Sequence, residues 1–444
     1  MSGYKRYDRY KDSGVEWIGE VPEGWEISKI KYETYINKNV LGEHADDDFE
    51  IIYIDIGSVN SFGEIRDLQN YQFVNAPSRA RRVVKDGDTI VSTVRTYLKA
   101  IAFIHKPPKN LICSTGFAVL SPGKKLVPQY LFYLMRSESY VNEIVKRSVG
   151  VSYPAVNASD IGNLQCLLPN MQTQQLIVSF LDQKITEFDG LIADKERMIE
   201  LLQEHRQAII SEAVAKGLNP DVKMKDSGIE WIGEVPEGWE IKKIKYLASV
   251  NPNKSEIRHL PPELEVTFIP MEKIIRTGVV DYSITDAIEN LISGYTYFKD
   301  GDIILAKVTP CFENGNIAVV DGLLNGIGFG TTELHVLRCK SNCYNSFLFY
   351  YFQSSIFKSK GVSEMYGVAG LKRIPTNFIL NYKLAVPNYR GQEKIANFLD
   401  QKIAEIDELV SDIQLQIQKL KEYRQSLISE AVTGKIDVRD YKDN

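Results

Sequence analysis

Apolar residues follow two rhythms along this chain. From Leu181 they step by four and three through Ile185, Phe188, Ile192, Ile199, Leu202 and Ile209 to Ala213, with Lys195 and Arg206 at intervening positions of the same row. A second row runs from Leu399 through Ile403, Ile406, Val410, Ile413, Ile417, Leu420 and Leu427 to Ala431, with Arg424 on it. Such a repeat predicts a coiled-coil seam. Both interiors lack proline, Pro169 and Pro387 precede the rows, and Gly217 and Gly434 follow them, so each predicts one continuous helix. An arm of roughly 40 residues rises ~1.5 Å per residue and is ~60 Å long. The stripe is narrow and the two rows match position for position. Antiparallel pairing is the simplest way to bury both; the alternative is an arm lying on its own module. Elsewhere the rhythm shortens to alternating apolar strands, with short helical stretches such as Gln129 to Val145.

The chain is also written twice. Lys11 to Ile27 returns as Lys225 to Ile241 with one change, Val15 to Ile229. Phe180-Leu181-Asp182-Gln183-Lys184-Ile185 returns as Phe398 to Ile403, and Arg206-Gln207 with Ser211-Glu212-Ala213-Val214 returns as Arg424-Gln425 with Ser429 to Val432. The expected divisions are a globular module over 1–168, a helical spacer over 169–220, a second module over 221–386 and a second spacer over 387–444. So long a period points to a duplicated module with pseudo-twofold symmetry, not a solenoid. Between the repeated segments, about 35–165 and 250–383, the halves agree only in scattered places. A constant scaffold around two differing cores suits one mechanical operation performed on two targets.

Charge narrows the possibilities. The net charge is -5, so bulk positive charge does not hold a nucleic acid here. Residues 1–168 carry 21 basic and 20 acidic side chains and residues 221–386 carry 18 and 19, so any such contact comes from local basic clusters. Cys113, Cys166, Cys311, Cys339 and Cys343 are scattered and odd in number, which predicts reduced thiols. His335, Cys339 and Cys343 lack a second ligand pair and are not read as a metal site. No apolar stretch reaches the ~18 residues of a membrane span and the N-terminus lacks a signal-peptide core, so the expected location is the cytoplasm.

The repeated Trp17, Trp25, Trp231 and Trp239 are the only tryptophans and are expected to be packing anchors, because identical residues cannot distinguish two targets. Inside the modules, Lys85-Asp86-Gly87-Asp88 and Lys299-Asp300-Gly301-Asp302 predict turns ahead of apolar strands. The segments after those strands differ between the halves, with Thr93, Arg95, Thr96, Tyr97 and Lys99 in one and Lys307, Thr309, Phe312 and Asn314 in the other. Arg can grip guanine and Asn adenine through two hydrogen bonds, while Thr or Phe can touch the thymine methyl. A later loop carries Lys146, Arg147, Ser152 and Tyr153 in one half and Tyr366, Lys372 and Arg373 in the other, with glycines permitting close backbone approach. Arg79, Arg81 and Arg82 form a further cluster suited to phosphates.

These doubled motifs, taken together, resemble the DNA-specificity subunits of type I restriction-modification systems over essentially the whole chain. The resemblance implies an α/β fold: two mixed α/β target recognition domains separated by two long helices forming an antiparallel coiled coil. It implies a non-catalytic subunit that reads a bipartite, asymmetric double-stranded DNA site in phage defence. Two methyltransferase subunits and, in the full complex, restriction subunits would be its partners. No cofactor belongs to this chain; S-adenosylmethionine would sit in the first partner, and ATP with magnesium in the second.

Enzyme readings find little support in the residues. No Asn/Asp-Pro-Pro-Tyr/Phe motif for gripping a flipped base occurs, and no Gly-x-x-x-x-Gly-Lys-Ser/Thr phosphate loop. Gly326-Ile327-Gly328-Phe329-Gly330 is read as a turn between strands. His44, His105, His205, His259 and His335 form no paired motif. A structural adaptor with duplicated protein-binding modules is the rival from another class, and an independent nuclease a more distant one. Half-sites on one face of DNA lie about 34 Å apart per turn. Deleting one heptad from both arms is therefore expected to change the tolerated gap and leave the bases read unchanged, which methylation mapping of the variant would check.

Overall fold

The computed structural model describes residues 4–43, 45–275, 278–368 and 370–441, so His44 and Ala369 lie outside the described residues. The chain forms two compact units, one of Met1–Glu196 with Gln414–Asn444, the other of Arg197–Ile413. The division therefore falls within the long helices.

In the first unit the fully buried run Thr89–Ser92 is an inner strand of an antiparallel sheet ordered Thr34–Ile36, Phe117–Pro122, Thr89–Ser92, Ile101–Phe103. A second sheet is ordered Gln69–Gln72, Glu50–Ile54, Leu111–Ser114, Ala80–Val83, its middle pair parallel. The second unit repeats both orders: Ala248–Val250, Leu334–Cys339, Ile303–Ala306, Ile317–Val319, and Thr285–Ala287, Glu265–Ile269, Ile327–Gly330, Thr296–Lys299. Each unit is a mixed α/β module, as the family resemblance implies.

The two Asp-Gly turns form, with Gly87 and Gly301 both at φ 83°. They do not close hairpins. Ala80–Val83 and Thr89–Ser92 lie in different sheets, so the turn carries the chain from one sheet to the other. The next aspartates cap it: Asp88 accepts from the Lys85 N–H at 2.7 Å and Asp302 from the Lys299 N–H at 2.9 Å. Both carboxylates are buried. Burial pushes the Asp88 carboxyl up, with only the Ser121 hydroxyl and the Lys85 backbone and charge opposing it. Asp302 instead takes both arms of the Arg338 guanidinium, at 2.8 and 2.7 Å.

Two local expectations are corrected. The stretch from Gln129 to Val145 is two helices, Pro128–Arg136 and Glu138–Lys146, broken at the extended Ser137. The Ser137 hydroxyl donates to the Leu134 carbonyl at 2.7 Å, a local bond that competes with helix continuation. The glycine-rich Gly326–Gly330 run is not simply a turn, because Ile327–Gly330 is a buried inner strand. Gly328 lets the Phe298 ring lie directly on that strand; a Cβ there would come within 2.2 Å of the ring.

The arms are the helices Met171–Lys216 and Tyr389–Val432. In the first unit Phe188 meets Tyr423 edge-on at 5.4 Å and the Lys195 ammonium donates to Gln416 at 2.6 Å, an antiparallel pairing. In the second unit Arg206 faces Asp407 at 3.6 Å. Leu181, Phe188, Ile192, Leu399, Ile403, Ile406, Ile413, Ile417 and Leu427 are buried; Ile185, Ile199, Leu202, Ile209, Val410 and Leu420 are half-buried.

The duplicated arm motifs also fasten the helices to their modules. Asp182 accepts from the Tyr133 hydroxyl at 2.5 Å and Asp400 from Tyr350 at 2.6 Å. Gln425 donates to the Arg136 carbonyl at 2.6 Å, as Gln207 does to the Gln353 carbonyl at 2.8 Å. Trp25 and Trp239 are buried and Trp17 stacks edge-on against Tyr140, whereas Trp231 is largely exposed beside Lys360. His335 is buried and bonds the Ile374 carbonyl at 3.0 Å, and the Cys339 and Cys343 thiols lie 3.5 Å apart. Among the described residues, no helix is long and apolar enough to cross a membrane.

Removing Arg338 would leave the Asp302 carboxylate buried without its partner, a loss of about 3–5 kcal/mol. Arg338→Ala is thus expected to unfold the second unit first in urea. A urea midpoint for Arg338→Ala equal to that of the wild type would contradict this account.

Candidate nucleic-acid interface

The buried strand Thr89–Ser92 ends in a hook. Arg95 (φ 50°, ψ 48°) and Lys99 (φ 56°, ψ 33°) both adopt the left-handed conformation, flanking a single 3-10 turn Thr96–Leu98. For residues with side chains this geometry costs on the order of 1–3 kcal/mol each and persists only where surroundings enforce it. They do so here. The Arg95 N–H donates to the Pro154 carbonyl at 2.7 Å, and the hydroxyls of Thr96 and Ser148 lie 2.7 Å apart. The Arg95 guanidinium stacks 4.6 Å from the Tyr153 ring centre.

The structure therefore joins the two loops that sequence reading treats separately. Val94 and Val149 both bridge to Ala155, which lays the Thr93–Lys99 segment beside the Lys146–Tyr153 segment. Thr93 is tied to Gly116 through its N–H and its hydroxyl, and the Thr115 N–H donates to the Arg79 carbonyl. Arg79 is exposed at the start of the edge strand Ala80–Val83; Arg81 stacks on Phe73 and Arg82 is half-buried.

The second unit brings its own pair of loops together differently. Tyr366–Val368 and Leu371–Arg373 form a hairpin, Tyr366 opposite Arg373. The Thr309 N–H donates to the Lys372 carbonyl at 2.9 Å, and the Thr309 hydroxyl donates to Gly370 at 2.6 Å and accepts from the Lys372 N–H at 2.9 Å. Lys307 bonds through its backbone to Glu333 on one side and Ile374 on the other. Beneath, burial holds the His335 imidazole below its ordinary value.

Several sequence-predicted contacts are placed elsewhere. Phe312 is 2% exposed and packs against Phe357 in the core, so it is not available to a base. Thr96 is likewise buried, fixing the hook with its hydroxyl. Asn314 lines a separate hollow of about 300 Å³ with Gln203, Arg206 and Asp407. Arg147 is held by Glu143 at 2.9 Å and by the Asp160 carbonyl. Arg373 makes two bonds to Glu333, at 2.9 and 3.0 Å, and holds that carboxyl below its ordinary value.

In the joined loops, the exposed side chains not held by a carboxylate are Arg95, Tyr97, Lys99, Lys146, Ser152 and Tyr153 in the first unit, and Tyr366 and Lys372 in the second. Among the described residues no carboxylate pairs with Lys99, Lys146 or Lys372. Sequence reading missed the apolar side chains between them. Val149 is 80% exposed, Val151 fully so, and Leu98 and Leu371 are also exposed. Val149, Val151 and Leu371 are marked in the sequence only by the adjoining Gly150 and Gly370, and Leu98 by nothing. Each loop pair thus offers cationic donors, an aromatic face and bare methyl groups, the set that meets phosphates and base edges. Among the described residues no three His, Cys, Asp or Glu side chains gather to hold a metal ion.

Gly367 sits at φ 152°, where a Cβ would come within 2.2 Å of the Leu371 carbonyl oxygen. Gly367→Ala is expected to open the hairpin without unfolding the unit. Faster tryptic cleavage after Lys372 at an unchanged melting temperature would be the readout, and unchanged cleavage would count against the described strand pairing.

Comparison with known proteins bears on this arrangement. The family model described as type I restriction modification DNA specificity domain matches residues 22–201 and again 236–419. The Escherichia coli EcoAI specificity subunit is 40% identical over 179 residues, covering 40% of this chain and 30% of that protein. The putative MjaX specificity subunit of Methanocaldococcus jannaschii is 24% identical over 95% of this chain and 96% of its own length. A solved chain from work on complex assembly and conformational transition of a type I R-M system superposes with TM-score 0.70 at 21% identity, covering 93% of this chain and 98% of that one. The HsdS subunit from Thermoanaerobacter tengcongensis gives TM-score 0.53 at 20% identity, over 94% and 98%.

Proposed function

Since this chain belongs to the type I restriction-modification DNA specificity family, we propose that it reads a DNA site in two separate parts, one loop pair per unit, and catalyses nothing itself. One observation carries the reading. Both units hold the same sheet orders and the same arm fastenings, yet the loops at the equivalent corner differ in residues and in backbone form: a strained hook in one, a regular hairpin in the other.

In this reading Arg95 and Tyr97 are the base readers of the first unit, with Lys99 and Lys146 on the phosphates. Tyr366, Thr309 and Lys372 serve the second. The side chains that stack or bond in cis act by positioning, since Tyr153 steers Arg95, and Thr96 with Ser148 holds the hook. The chain assembles with two methyltransferase subunits, which bring S-adenosylmethionine, and with restriction subunits, which bring ATP and magnesium. The family match and the likeness to a chain from a type I assembly support these partners.

The test is the sequence selectivity of the chain joined to its methyltransferase subunit. Arg95→Ala is expected to weaken binding about ten- to a hundredfold, the scale of one lost two-bond base contact. The loss should be confined to one half of the site, with the preference at the other half unchanged. Lys146→Ala should lower affinity for all sequences alike and reduce the salt dependence. Binding without sequence preference, or an Arg95→Ala effect spread over both halves, would favour an adaptor with protein-binding modules instead.

A further inference from the structure

Phe180 and Phe398 open the same duplicated motif, but only one of them is covered. Phe180 is 1% exposed, because the rings of Tyr4 and Tyr441 meet it edge-on at 5.4 and 4.8 Å. Ile436 and Val438 are buried in the same cluster, beside Leu427. Two stretches of chain thus lie over this corner of the first unit, and they hold each other. The Asp437 N–H donates to the Lys5 carbonyl at 2.7 Å and the Tyr10 hydroxyl to the Gly434 carbonyl at 2.9 Å. Lys435 reaches the Glu20 carbonyl at 2.7 Å, and the Lys184 ammonium sits 5.6 Å from the Tyr441 ring centre.

At the repeated corner of the second unit a single connecting segment, residues 217–224, stands where two stretches lie in the first. Phe398 is 36% exposed and Leu218 44%. Ile209 and Ile232 are half-buried, whereas their repeats Leu427 and Ile18 are buried. A hollow of about 710 Å³ is lined by Phe398, Ile209, Ile232 and Leu218, with Glu212, Glu234 and Lys216 as its charged residues. Lys402 stands where Lys184 stands in the first unit, and its side chain is 41% exposed against 19%. An apolar floor with two carboxylates against one ammonium suits an occupant that is apolar with a leading positive charge. The first unit displays such an occupant in place: Lys435, Ile436, Val438 and Tyr441.

We propose that the hollow over Phe398 is a docking groove for one extended segment of a methyltransferase subunit, carrying a basic residue, then aliphatic residues and a tyrosine. This deepens, and rests on, the reading that the chain assembles with such a subunit. The tyrosine ring lies on Phe398 with Lys402 against its face, and the basic residue lies at Glu212 and Glu234. A second copy of this chain is the poorer candidate, because its own matching segment is already seated over Phe180.

The experiment uses the full chain, its methyltransferase subunit and a fluorescent peptide of the sequence 433–441 as probe. The peptide is expected to bind the chain and, in excess, to compete with the methyltransferase subunit. Phe398→Glu and Leu218→Glu should each weaken both interactions at least tenfold. Leu218 lies on the exposed connecting segment, so an unchanged melting temperature for Leu218→Glu separates lost docking from lost folding. Failure of the peptide to bind, or full binding of the subunit by both variants while the wild type still methylates a two-part site, overturns the groove and leaves the functional reading standing. A wild-type chain that assembles with no methyltransferase subunit removes both. Self-association that the peptide abolishes would assign the groove to a second copy and overturn the proposal as well.

Discussion

The apolar seam between the two arms is the constraint on which the structure depends. In the first unit it joins residues such as Lys195 and Gln416, 221 positions apart. The arms are too narrowly apolar to be stable alone, so each gains its stability from the other and from the module beneath it. The repeated Asp182 and Asp400 then explain themselves. Each fixes a helix onto a tyrosine of the module, so the seam and the sheets are held in one register. A loop is only as well placed as the element that carries it, and in each unit the segment that follows the buried inner strand Thr89–Ser92 or Ile303–Ala306 springs from a sheet so anchored.

Constancy and variation are separated in space. The sheet orders, the Asp-Gly corner and the arm fastenings recur with little change, while the exposed loops share almost nothing. In the first unit strain in Arg95 and Lys99 is offset by hydrogen bonds to the neighbouring loop. In the second the same neighbourhood is a relaxed hairpin stitched by Thr309. Even the framework tolerates exchange where a pairing is local: Asp88 meets Ser121 in one unit and Asp302 meets Arg338 in the other.

Much of this was legible along the chain, because the repeat and the heptad rows are local patterns of fixed period. The arms, their bounding prolines and glycines and the duplicated sheets follow from them. Misreadings came where a distant residue decides. Phe312 looks like a surface aromatic until Gly361 is placed opposite it; a Cβ there would come within 2.4 Å of the ring, and no local signal announces the vacancy that the ring fills. Arg147 has its carboxylate one helical turn away, within reach of sequence reading. Arg373 finds Glu333 across 40 residues and was out of reach. The Gly326–Gly330 run misled for the opposite reason: glycine suggests a turn, yet here it makes room for Phe298 on a buried strand.

The division of the chain between the two units orders its birth on the ribosome. The second unit is one uninterrupted stretch, Arg197–Ile413, and has all its parts as soon as that stretch emerges. The first is complete only when Gln414–Asn444 joins Met1–Glu196, made before the second unit. Its opening half must therefore wait, with Phe180, Leu181 and Phe188 uncovered, until the whole of the second unit has been made, and that interval is when this polypeptide is most exposed to misassembly.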